Sequence, residues 1–217
     1  SKMIEEQPEL GCYLGKKLTV IAWLWARSVK SPNPAFSDVE VPLASTFILS
    51  SKKGKEVYVE PIIEGRGYRF AVRHGKPEFP EKIKPGTKAQ GRGANFRCLM
   101  SETLITSDYL KREGEAGRIG QRLLAVVVEG YRGRAFLSPS CEGSAQSSIP
   151  NEYHAPSLEL PQEGLGRTNF WCRLYGLTTY GKLFTTRQLV ALTTFSDLVG
   201  EAMQKVRIDA LEEGAPD

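Results

Sequence analysis

The residues best placed to do chemistry lie in a short proline-stiffened loop, Ser31-Pro32-Asn33-Pro34-Ala35-Phe36, which follows the apolar run Ile21 to Val29. An Asn side chain and a Pro carbonyl side by side can accept hydrogen bonds from an exocyclic amine, and a nearby aromatic ring can stack on a flipped base. Here Ala35 stands where a second proline would complete such a loop, and no glycine-rich turn following a strand precedes it to cradle a cofactor. A structural turn is the reading these residues support.

Gly114, Gly117 and Gly120 stand three residues apart, but a dinucleotide fingerprint needs G-x-G-x-x-G between a strand and a helix. This stretch follows an expected helix, so it reads as a helix stop and tight turn. Basic residues recur in the turns. Lys52, Lys53, Lys55, Arg66, Arg69, Arg118, Arg122 and Arg132 are candidate phosphate contacts, with Tyr58, Tyr68, Phe70 and Tyr131 interleaved. Solvated surface is the competing reading, because 25 acidic residues nearly balance 29 basic ones and leave a net charge of only +4. Nothing in the spacing ties His74 or His154 to a nucleophile, so no catalytic residue is assigned.

The chain has 217 residues, 41% of them hydrophobic and 25% charged, which is enough to bury a sizeable core. Its apolar runs, Leu123 to Val128 among them, fall far short of the roughly 18 residues of a membrane span. Cys12, Cys98, Cys141 and Cys172 lie far apart without a C-x-x-C pair, a usage that fits unpaired thiols in a reducing cytoplasm. The first residue is Ser and no secretory pattern opens the chain, so a region cut from a longer protein is expected.

The elements that must position these residues are mostly hairpins. Ile21 to Val29 is apolar on both faces, which predicts a buried central strand. Pro42 to Ser50 predicts a second strand. Glu56 to Ile63 and Tyr68 to Arg73 form a hairpin about Glu64-Gly65-Arg66-Gly67, and together these strands are expected to make an antiparallel meander. His74 to Gly93 reads as a long solvated loop. Thr106-Ser107-Asp108 predicts the start of a short middle helix, and Arg122 to Val128 with Arg134 to Leu137 a second hairpin. Ser138 to Asn169 reads as an extended connection. At Thr185 to Gln188 the spacing of a capping box opens a long final helix, reaching about Leu211, with Leu189, Leu192, Phe195, Val199, Met203 and Val206 on one face. The fold class is α+β. The expected organisation is a lead-in over 1–20, a β-rich domain with one helix over 21–138, an extended linker over 139–175 and a helical segment over 176–213.

Four stretches, AWLWARSVKSPNPAF, GRGANFRCLMSETLI, EGEAGRIGQRLLAVVVEGYRGRAFLSP and YGLTTYGKLFTTRQLVALTTFSDLV, together resemble the zinc-ribbon-containing adenine-specific DNA methylases. These are large bacterial and archaeal proteins often found near defence genes, and the resemblance spans about Ile21 to Val199. It implies that the region is an insertion between the S-adenosylmethionine-binding motif and the Asp-Pro-Pro-Tyr catalytic motif, neither of which these residues contain. The resemblance also pairs a cysteine knuckle with Ser31 to Phe36 and a C-x-x-C with Cys98 to Ser101. Ser31, Phe36 and Ser101 thus stand at three expected ligand positions, leaving Cys98 alone. A structural zinc site needs about four thiolate or imidazole ligands. The expectation is therefore a degenerate, metal-free ribbon held by packing, with Phe36 filling part of the space.

The resulting expectation is an accessory region of an adenine-specific DNA methyltransferase that contacts double-stranded DNA and carries no catalytic or cofactor site of its own. S-adenosylmethionine would belong to the parent protein. The alternative is an interaction or bracing domain, docking the rest of the methylase chain or forming a homodimer through its last helix.

Overall fold

The computed structural model describes residues 7–91, 93–131, 133–139, 155–161 and 172–212. They divide into two units, one formed by residues 1–145 with 173–176, the other by 146–172 with 177–217. The fold is α+β, with antiparallel sheets, a short middle helix and a long C-terminal helix.

In the first unit, β1 (Val20–Lys30) is an inner strand of a four-stranded sheet of order β2-β1-β8-β9. Its neighbours are β2 (Glu40–Pro42), β8 (Gly120–Gly130) and β9 (Gly133–Leu137). The antiparallel register runs from Val20 opposite Val128 to Ser28 opposite Gly120. A second sheet is the meander β3 (Ile48–Ser50), β4 (Val57–Glu64) and β5 (Gly67–His74), whose β4–β5 hairpin closes where Glu64 pairs with Gly67. The sequence places the opening strand in one meander with β4 and β5. It pairs instead with β8, about 100 positions away, because the two strands share matching apolar runs. Nor is β1 covered on both faces: Ile21 and Trp23 are exposed. The expected strand Pro42 to Ser50 divides, with β2 and β3 belonging to different sheets.

Three cores hold these layers. The first joins Ala26, Leu124 and Ala125 of the four-stranded sheet to Val57, Val59, Phe70 and Val72 of the meander, with Phe47 against them. The second gathers Val29, Val41, Phe96, Cys98, Ile105 and Leu110. The third sets Leu10, from the 3-10 turn Pro8–Tyr13, over Leu123, Val126 and Val128.

The stretch after β5 differs from a solvated loop. It forms a one-turn helix, α1 (Pro80–Ile83), whose Ile83 is buried, and it brings buried Thr87 to Ala44, with hydrogen bonds from Thr87 N to Ala44 O and from Ala44 N to Thr87 Oγ1. Next come the two-residue strands β6 (Phe96–Arg97) and β7 (Leu104–Ile105), then the middle helix α2 (Ser107–Glu115). Thr106 caps it by accepting from Tyr109 N. The helix runs through Gly114, where a Cβ would stand 1.8 Å from the Tyr175 carbonyl oxygen, and the chain then turns at Gly117 with φ of 70°. Backbone crossing and turn geometry account for those two glycines.

In the second unit, Glu159 bridges Thr179 and Leu160 is buried. A one-turn helix, α3 (Tyr180–Leu183), leads into α4 (Thr186–Glu212). The capping box forms as spaced: Thr185 N donates to Gln188 Oε1 at 2.8 Å and Gln188 N to Thr185 Oγ1 at 3.4 Å. Gly200 does not break the helix, since intrinsic propensity disfavours glycine there by only about 1 kcal/mol relative to Ala. Arg173 to Tyr175, expected within the linker, and Gly176, expected in the helical segment, lie in the first unit against α2. Among the described residues no helix is long and apolar enough to cross a membrane.

Candidate functional site

The loop after β1 is built by its own polar groups. Ser31 N donates to Val39 O, which closes the loop's base. Asn33 Oδ1 accepts from Ala35 N at 3.0 Å and so caps the 3-10 turn Pro34–Phe36, while Phe36 N donates to Asn33 O. An Asn with this task stabilises a turn; its acceptor oxygen is already engaged by the neighbouring amide. Phe36 is half-buried against the first core, where Leu99 and Met100 also pack.

The connection between β6 and β7 is the second half of the site. Cys98 N donates to Thr103 O and Glu102 N to Cys98 O, both at 3.0 Å, with Glu102 at φ of 56° to close the tight turn. Cys98 has 0% of its surface exposed. Its thiol is met by hydrogen bonds from the Ser101 and Ser31 side chains and from the Met100 and Ser101 backbone amides. Burial pushes the thiol up, but those four donors outweigh burial and bring it below its ordinary value. Ser101 Oγ and Thr103 Oγ1 share a hydrogen bond at 2.9 Å, and Asn33 Nδ2 ties the two halves by donating to Thr103 Oγ1 at 3.4 Å. Tyr109 of α2 also donates to Lys30 O at 3.1 Å, just before the loop.

Ser31, Cys98 and Ser101 are therefore brought together by two segments nearly 70 residues apart. The donor set is one thiol, hydroxyls and amides. It suits a thiolate and does not fit zinc, which wants about four soft or imidazole ligands. Among the described residues there is no group of three or more His, Cys, Asp or Glu able to hold a metal ion. Sequence reasoning missed Asn33 and Thr103 as tie residues; the only signal for Thr103 was its place two residues after Ser101.

The candidate phosphate contacts fare differently from one another. Lys52, Lys53 and Lys55 are exposed together in the turn between β3 and β4, which Lys55 N closes onto Lys52 O at 2.8 Å. The arginines carry internal partners. Arg66 Nη2 donates to Ala35 O at 3.0 Å, Arg69 pairs with Glu64 at 2.6 Å, and Arg118 is bidentate on Glu113 at 2.7 and 2.9 Å. Arg122 donates to Tyr68 O at 3.2 Å and lies over the Tyr68 ring, 4.9 Å from its centroid. Arg132 lies outside the described residues. Arg118 holds the Glu113 carboxyl below its ordinary value through that hydrogen bond, which outweighs the effect of burial.

Comparison with protein-family models, curated proteins and solved structures finds no match for the chain.

Proposed function

We propose that this chain is an accessory, DNA-contacting region of an adenine-specific DNA methyltransferase, with no catalytic or S-adenosylmethionine site of its own. The observation that carries the reading is the meeting of Ser31, Cys98 and Ser101, since the resemblance pairs those two distant segments as the halves of one ribbon. A ribbon that keeps its closure but exchanges metal ligands for hydroxyls acts as a scaffold. The exposed lysine turn at Lys52, Lys53 and Lys55 is the feature that suits phosphate contact. Its ammonium groups would hold the duplex while the parent's catalytic domain extrudes the adenine.

Fluorescence anisotropy with a labelled duplex tests the reading. Binding at low salt that weakens steadily as salt is raised is the expected result. Absence of binding at low salt removes the DNA-contacting role.

A further inference from the structure

The apolar stripe of α4 has no part in that reading. Of its 27 residues only Leu189 is buried, while Leu192, Phe195, Val199, Met203 and Val206 are between 50% and 69% exposed. At roughly 100° per residue these five fall in a sector about 80° wide, the narrow seam of a helix that pairs with another helix. The sector carries no charge, and Asp197 and Glu201 lie on the opposite side of the helix.

The spacing identifies the occupant. Successive members of the stripe are three, four, four and three residues apart, so the pattern reads the same from either end, with Val199 at its centre. Such a stripe complements itself about a two-fold axis through Val199. Leu192 of one copy then faces Val206 of the other, Phe195 faces Met203, and Val199 meets its own copy. A parallel pairing would instead set ring against ring at Phe195 and valine against valine at Val206, giving one crowded layer and one thin one. Two stripes wholly closed on each other remove roughly 900–1,300 Å² of accessible surface, taking about 150–200 Å² for each whole side chain, a range that spans the roughly 1,000 Å² a specific interface must clear.

We propose that the chain self-associates as an antiparallel dimer through α4, with its two-fold axis at Val199. This pairing stands independently of DNA contact.

Sedimentation of the full 217-residue chain over about 1–100 µM is expected to show conversion of monomer to dimer. Val199→Glu places two carboxylates on the axis and should weaken association by about 100-fold or more, with helix content by circular dichroism unchanged. Cysteine cross-linking fixes the geometry, in a chain whose Cys12, Cys141 and Cys172 are replaced by Ser. Val199→Cys should form a disulfide dimer under oxidation. Leu192→Cys should not, because its two copies would lie about 21 Å apart, far beyond disulfide reach. A chain that stays monomeric throughout overturns the proposal. So does a Val199→Glu variant that still dimerises, or a Leu192→Cys variant that cross-links as readily as Val199→Cys.

Discussion

A thiol enclosed by hydroxyl and amide donors behaves differently from one enclosed by carbon alone, and Cys98 is of the first kind. Because its folded-state value lies below the ordinary 9.0, the native chain releases that proton at a lower pH than the unfolded chain. The stabilisation is complete above the unfolded value and is lost as pH falls through the folded one. Urea denaturation of the wild type and of Cys98→Ala should therefore show a stability gap that widens from neutral pH towards 9. A gap that stays constant or narrows would mean the four donors do not favour the thiolate. The surrounding positions permit a test of the proposed ribbon. Ser31→Cys and Ser101→Cys place two thiols beside Cys98, and Phe36→Cys adds the fourth that the family resemblance implies; the triple variant is expected to take up one equivalent of zinc and to melt at a higher temperature with the metal than without. Elemental analysis finding no zinc in that variant would count against the ribbon reading of both loops.

Elements are joined in this fold by buried polar clasps as much as by apolar cores. Gln7, with 0% exposure, donates from Nε2 to Phe136 O at 3.0 Å, and its Oε1 accepts from Ser138 N and Oγ. Ser138 Oγ in turn accepts from Val72 N at 2.9 Å, so one amide ties the segment before the first 3-10 turn to β9 and, through Ser138, to β5. Truncating it leaves several buried groups unsatisfied, each at about 1–3 kcal/mol, so Gln7→Ala should destabilise the chain by about 2–4 kcal/mol in urea titrations. Loss of less than about 0.5 kcal/mol would show that water replaces the amide. No such clasp is legible in a sequence, because Gln7 and Ser138 are 131 positions apart and neither belongs to a periodic pattern. Local signals were legible: the Thr106 and Thr185 caps, the Glu64–Gly67 turn and the period of α4 each depend on residues within a few positions of one another. Sheet membership was not. The apolar run of β1 would suit any central strand, and only the competition among partners selects β8. The Ser31 and Cys98 loops stand nearly 70 positions apart, and their tie through Asn33 and Thr103 follows from side-chain placement alone.

On the scale of the whole molecule, a net charge of +4 spread over 29 basic and 25 acidic residues gives no strong field to draw in a duplex. Any phosphate contact must then come from where several cations gather on the surface. Arg69 and Arg118 are each paired with a carboxylate at 2.6 to 2.7 Å, so they bring little net positive charge to a passing phosphate. The turn between β3 and β4 exposes three lysines within four positions. Counterion release gives each group a measurable share, since every phosphate that a cation neutralises adds about 0.9 to the slope of log binding constant against log salt. Replacing Lys52, Lys53 and Lys55 together by Ala should reduce that slope by about 2 to 3 and weaken binding alike on unrelated sequences. Arg69→Ala and Arg118→Ala leave a carboxylate uncompensated, so they should weaken binding slightly through repulsion while changing the slope by less than about 1. Anisotropy titrations at several salt concentrations separate the two outcomes. A slope that survives removal of the three lysines but collapses with either arginine would move the DNA face off the β3–β4 turn and onto the ion-paired arginines.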